Sequence, residues 1–271
     1  NIADTELWLR DNVLLGRGNV DLKGINLETR NRLNKLFQKH IDNGHKFRYT
    51  TVRSYYSKSN VVARSSTEQL MLNRYHLKDV LKWERTTAKR CVDSGWWANG
   101  GNRFESLMTH EMGHGLTLDH ITSNKAGTSI RTNTLRGKKL KELWGKYVKD
   151  MSNRMNEFRR GKSLEELREF RASFDKRKYI DEAIPGGRGF RTVVTGTNEM
   201  AGYYKTVYGG EYISEYAEAN IMEWIAECFM NANMSSNPSS YALRVMEIML
   251  EPLAPKEFTM GRLPSTDWYK G

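Results

Sequence analysis

Thr109-His-Glu-Met-Gly-His-Gly-Leu-Thr-Leu-Asp-His120 is the stretch from which the rest of the chain is read. Residues 103–108 contain no Pro or Gly, and Phe104, Leu107, Met108, Met112 and Leu116 recur at helical spacing. That periodicity predicts a helix with one apolar face. His110 and His114 are four apart, so a helix points both imidazoles from one side. Neutral imidazole nitrogen is a good ligand for zinc, and this spacing brings two of them to one ion. Glu111 sits one residue along, where its carboxylate reaches a water at the site without binding the metal. Gly113 and Gly115 each weaken a free helix by up to about 1 kcal/mol. Their presence predicts close approach of another part of the chain. Three of the six histidines fall between residues 110 and 120.

Two histidines do not hold a catalytic zinc, and a third protein ligand is expected. One candidate is His120, at the distance used when a glycine three residues after the second His turns the chain back to the metal. That position is Thr117, and the glycine stands at 115. The other candidate lies in Ser214-Glu-Tyr-Ala-Glu-Ala-Asn-Ile-Met-Glu-Trp-Ile-Ala-Glu-Cys-Phe-Met230. Ile221, Met222, Trp224, Ile225, Cys228 and Phe229 make a helix apolar around much of its circumference. Glu223 and Glu227 share one face of it, and two carboxylates there are costly unless something compensates them. Glu223 as third ligand would do so. Glu227, one turn on, is then expected to accept from the other ring nitrogen of His110.

His110-Glu-Met-Gly-His114 with Tyr216-x6-Glu223-x3-Glu227 resembles the zincin-like metallopeptidase domain of bacteriophage minor head (head morphogenesis) proteins, which is related to the catalytic domain of anthrax lethal factor. Upstream, Ser54-Tyr-Tyr-Ser57, Gln69-Leu-Met-Leu-Asn73, Asp93-Ser-Gly-Trp96 and Glu105-Ser106 are similar to that family's order of elements. The resemblance covers much of 50–120 and 210–232 and has no counterpart in 125–205. It implies a zinc endopeptidase of phage or prophage origin. Zinc would be held by His110, His114 and Glu223, with Glu111 as base and Tyr216 steadying the oxyanion. The partners it implies are a protein or peptide substrate and other virion proteins. The implied setting is the virion, or the host cytoplasm after delivery. The alternative it carries is a virion structural protein that keeps the fold and cuts nothing.

The chain has 271 residues and 38% hydrophobic content, enough for one large domain or two smaller ones. Two cysteines, Cys91 and Cys228, make no disulfide framework. No run of eighteen apolar residues spans a membrane, and the opening Asn1-Ile-Ala-Asp-Thr-Glu has no signal-peptide pattern. Net charge is +11, and between Arg131 and Ile180 sixteen Lys and Arg stand against seven Asp and Glu. That region is expected to present a solvated helical face, which can draw in an acidic partner or nucleic acid.

Helices are predicted over 4–15, 27–42 with Asn26 as cap, 77–92, 140–155, 164–170 behind the capping box Ser163-Leu-Glu-Glu166, and 240–250. Strands are predicted at 46–52, 60–64 and 69–72. Pro185-Gly-Gly-Arg-Gly189 opens a loop reaching toward 212, and Thr206–Gly210 is expected to rim the cleft. Trp96 and Trp97 read as cleft wall or packing plug. The expected architecture is α+β: a zincin-like fold with a small mixed β-sheet, an active-site helix and a largely helical C-terminal half with a basic helical insertion. The divisions are 1–120, carrying the sheet and the His helix; 121–212, the basic insertion and loop; and 213–271, carrying the third ligand.

Overall fold

The computed structural model describes residues 1–16, 18–97, 103–121, 134–184, 187 and 189–251, the side chains of 117–121 excepted. The fold is mixed α+β and mostly helical. It opens with α1 (Ile2–Asn12), strand β1 (Asn19–Asp21) and α2 (Leu27–Asp42). Asn26 caps α2 by accepting from Thr29 N, and Gly44 leaves it at φ 87°, a value that favours glycine. Strands β2 (Thr51–Tyr55), β3 (Ala63–Ser65) and β4 (Gln69–Asn73) complete a four-stranded sheet in the order β1-β2-β4-β3. β1, β2 and β4 run parallel, while β3 runs antiparallel to β4 at one edge.

Next come α3 (Arg74–Leu77), α4 (Val80–Trp83), a π-helical turn (Glu84–Ala88) and α5 (Lys89–Asp93), where one helix over 77–92 was expected. The helix of the two histidines is α6 (Arg103–Ile121). The basic segment forms α7 (Leu135–Arg159) and α8 (Leu164–Ala172), the latter opened by the Ser163–Glu166 capping box. A hairpin of β5 (Lys178–Ala183) and β6 (Phe190–Thr195) follows, exposed along nearly its whole length. Then come α9 (Met200–Tyr208), α10 (Ile221–Met234) and α11 (Ser240–Leu250).

The expected strand at 46–52 is shifted. Burial alternates from His45 to Val52, as a strand's would, yet ladder pairing begins only at Thr51. Alternation reports which way side chains face; a ladder also needs a neighbour, and β1 reaches only three residues. The expected loop from 185 toward 212 instead contains β6 and α9.

Two main cores meet at the α6–α10 contact. The first joins Leu9, Leu33, Phe37, Tyr49, Leu70 and Leu72 to Phe104, Met108 and Met112 of α6. The second joins Leu140, Tyr147 and Met151 of α7 to Trp224, Ile225 and Cys228 of α10 and to Val245 of α11. Thus the basic helix α7 packs its apolar stripe into the second core. Cys91 and Cys228 are both free thiols. No helix among the described residues is long and apolar enough to cross a membrane.

Candidate metal centre

The start of α6 is fixed from two elements, the π turn and α2. Glu84 of the π turn accepts from Phe104 N at 3.0 Å, taking one of the amides a helix start leaves unpaired. Arg32 of α2 then bridges Glu84 and Glu105 at 2.7 and 2.6 Å. The Glu105 hydrogen bond, then that of Glu84, raises the Arg32 pKa against the opposing effect of burial. Further along, the two glycines have distinct roles. A Cβ on Gly113 would sit 3.2 Å from Ala226 Cα and from Phe229 Cβ, so its absence lets α6 and α10 approach closely. A Cβ on Gly115 would sit 2.2 Å from the Tyr49 hydroxyl, so its absence seats α6 on Tyr49, in the segment leading into β2.

That approach brings the predicted ligands together. His114 Nε2 lies 3.1 Å from His110 Nε2 and 3.1 Å from Glu223 Oε2, and His110 Nε2 lies 3.2 Å from the same oxygen. The three atoms form a nearly equilateral triangle. A tetrahedral ion bonded to imidazole nitrogen and carboxylate oxygen at about 2.0–2.1 Å has ligand–ligand edges of about 3.3 Å. The triangle is therefore close to the open face such an ion requires, with two nitrogens and one oxygen as donors. Glu223 is also pinned by its own helix start, since Asn220 accepts from Met222 N and Glu223 N at 2.9 and 3.1 Å.

The site gathers buried carboxylates around the two imidazoles. His110, Glu111 and Glu227 are all buried. Burial alone would lower the His110 pKa; the hydrogen bonds of Glu223 and Glu227 outweigh it and raise it to about 10. Glu223 goes the other way: burial opposes, but both histidines hold its carboxyl well below the usual range.

Glu227, one turn beyond Glu223, presents Oε1 2.8 Å from His110 Nδ1. Its other oxygen accepts from Ser214 Oγ at 2.6 Å. Sequence spacing points to Glu227 and not to Ser214, which offers no spacing signal of its own.

Glu111 and Tyr216 flank the triangle. Burial raises the Glu111 pKa, with His110 and His114 pulling against it. The Tyr216 ring packs on His110 at 5.5 Å and 28° and on Trp96 at 5.4 Å and 31°. Its backbone is tied to the tryptophan loop by Glu215 N→Gly95 O at 3.0 Å and Tyr216 N→Trp96 O at 2.9 Å. Burial, then the Glu223 carboxylate, raises the Tyr216 pKa.

A cleft of about 230 Å³ opens against this group. His110, Glu111, Tyr216 and Glu227 line it together with Val61, Ala63, Trp96, Trp97, Leu107 and Met230. Both tryptophans are therefore cleft wall, and Trp97 also packs on the first core. Thr206–Gly210 is not among the described lining residues. The side chain of His120 lies outside the described residues. The backbone of α6, however, stays helical through Ile121, without the turn that a third ligand at 120 calls for. Among the described residues, His110, His114 and Glu223 are the group of His, Cys, Asp and Glu whose ligand atoms converge. No protein-family model, curated protein or solved structure matches the chain.

Proposed function

We propose that the chain is a zinc-dependent endopeptidase of zincin-like fold, of phage or prophage origin, with His110, His114 and Glu223 as the metal ligands. The observation that carries this reading is the triangle of donor atoms with edges of 3.1–3.2 Å. It stands beside a buried carboxylate, Glu111, that takes no part in the triangle. Zinc in such a site lowers the pKa of water and polarises a carbonyl.

The chain's own residues supply the rest. Glu111 takes a proton from the attacking water and returns it to the leaving amine. Burial moves its pKa toward neutrality, which suits both halves of that task. The Tyr216 hydroxyl donates to the oxyanion that develops on the substrate carbonyl. Glu227 orients the His110 ring from behind. β3, at the sheet edge and close to α6, offers a strand along which an extended peptide adds itself by backbone hydrogen bonds. A virion protein that kept zinc only for stability would have no use for a buried acid at 111, so catalysis is the better reading.

The experiment is zinc content and peptide-library cleavage for wild type, Glu223→Ala and Glu111→Gln. The expected pattern is metal and turnover in wild type, neither in Glu223→Ala, and metal without turnover in Glu111→Gln. Tyr216→Phe should raise the barrier by about 2–4 kcal/mol, the scale of a lost oxyanion donor. Undiminished cleavage by Glu111→Gln overturns the mechanism.

A further inference from the structure

The geometry points to Ser214 as a positioning residue that couples the turn carrying Tyr216 to the ring of His110, acting through Glu227. The inference rests on the reading of His110 as a ligand and on the direction of the hydrogen bonds around Ser214. Ser214 is 1% exposed, so water does not satisfy its hydroxyl. Ala217 N lies 3.0 Å from Ser214 Oγ, and an amide can only donate. Ser214 Oγ lies 2.6 Å from Glu227 Oε2, and a carboxylate can only accept. The hydroxyl therefore has one proton and one place to put it: it receives from the turn and gives to Glu227.

The chain of contacts continues to the ring. With Oε2 engaged by Ser214, Glu227 turns Oε1 toward His110 Nδ1 at 2.8 Å. The carboxylate thus lies against one edge of the ring, while Nε2 on the opposite edge faces His114 and Glu223. The first donor, Ala217, directly follows Tyr216 and belongs to the 3-10 turn Tyr216–Glu218. Tyr216 in turn packs on His110. The turn and the ring are thus joined twice, once by ring contact and once through Ser214 and Glu227. Moving the turn rotates the carboxylate, and the carboxylate sets the ring.

A double-mutant cycle of Ser214→Ala and Glu227→Ala tests this, read on zinc affinity against a competing chromophoric chelator. Ser214→Ala alone should weaken zinc about tenfold, within the range for removing the partners of metal-binding His. In the Glu227→Ala background it should cause no further loss. Ser214→Thr, which keeps the hydroxyl, should recover most of the affinity. An unchanged affinity in Ser214→Ala, or the same loss in both backgrounds, overturns the proposal. A second readout needs no metal: the His110 Hε1 resonance of the ion-free protein. Ser214→Ala should displace it when Glu227 is present and leave it in place when Glu227 is Ala. If wild type takes up no zinc, the metal reading falls, and the resonance cycle still decides for or against Ser214. Ser214→Cys, similar in size but a weak donor, replaces the alanine variant in both cycles if that variant does not fold.

Discussion

The same substitution, Gly→Ala, should have opposite effects at two helical positions. Gly145 lies in the exposed run of α7, and a Cβ there meets nothing within 4 Å. Alanine at that position removes backbone freedom from the unfolded chain and improves helix propensity, together worth about 0.5–1 kcal/mol of added stability. At Gly113 the same propensity gain is available, but the new methyl lands 3.2 Å from Ala226 Cα, 3.2 Å from Phe229 Cβ and 3.3 Å from Phe229 Cδ1. The first two of these atoms are backbone and the base of a fully buried ring, so no flexible tip can swing aside. Overpacking of this kind costs about 1–3 kcal/mol, leaving Gly113→Ala destabilised by about 1 kcal/mol net. The two variants should then differ by roughly 2 kcal/mol. At about 2–4 °C per kcal/mol for a chain of this size, they separate by about 4–8 °C in Tm, on opposite sides of wild type. Thermal unfolding followed by circular dichroism measures this directly. A second expectation concerns function: forcing α6 from α10 spreads the donor triangle, so Gly113→Ala should bind zinc more weakly while Gly145→Ala binds as wild type. If Gly113→Ala raises Tm as Gly145→Ala does, the close helix packing that assembles the site is wrong.

His120→Ala should leave zinc bound while Glu223→Ala loses it, as measured by metal content after dialysis; the reverse pattern would reinstate His120 as the third ligand. Acid should destabilise the fold through His40, which is fully buried, stands 3.1 Å from Thr109 and packs on Phe229. Burial, helped by His45 and Lys39, lowers its folded pKa from 6.5 to about 3. The stabilising effect of keeping it neutral is therefore complete above pH 6.5 and is lost as pH falls toward 3. That linkage amounts to about 2 kcal/mol between pH 7 and pH 5. Urea unfolding at the two pH values should show this drop in wild type and a smaller one in His40→Gln, and an equal drop in both would exclude His40 as its source. Lys138, Lys141 and Lys149 lie exposed on α7, whereas Lys139 is paired with Glu251 at 2.6 Å. Reversing the three exposed lysines to Glu should weaken binding to a short DNA duplex and flatten its salt dependence by about 0.9 for each phosphate no longer neutralised, with cleavage of a generic peptide unchanged; an unaltered salt slope would return this face to plain solvation.

The donor triangle was legible because helical periodicity turns spacing into direction. His110 and His114, then Glu223 and Glu227, are each four apart, and each pair therefore points one way. What spacing cannot carry is the partner across the chain. Ser214 is a single serine whose importance comes from Glu227, thirteen residues away and on another element. Arg32 reaches Glu105 over 73 residues, a separation at which no local pattern survives. The β5–β6 hairpin escaped notice because it buries almost nothing, so its apolar residues show no alternation against solvent. The π turn at Glu84–Ala88 is invisible for a related reason. Its residues suit an ordinary helix, and only the need to bring Glu84 to Phe104 N and Arg32 accounts for its place.

The division of the triangle between α6 and α10 has a consequence for how the protein is made. His114 and Glu223 are separated by 109 residues. At ribosomal speeds of about 5–20 residues per second, both histidines are synthesised roughly 5–20 s before the carboxylate that completes their site. During that interval the nascent chain has the two imidazoles of the triangle but not its carboxylate. The donor triangle is completed only when translation has passed α10, and a product interrupted before that helix lacks its third corner. The split between two distant helices thus puts the order of synthesis into the site itself: whatever the triangle holds, it can hold only once both helices have been made.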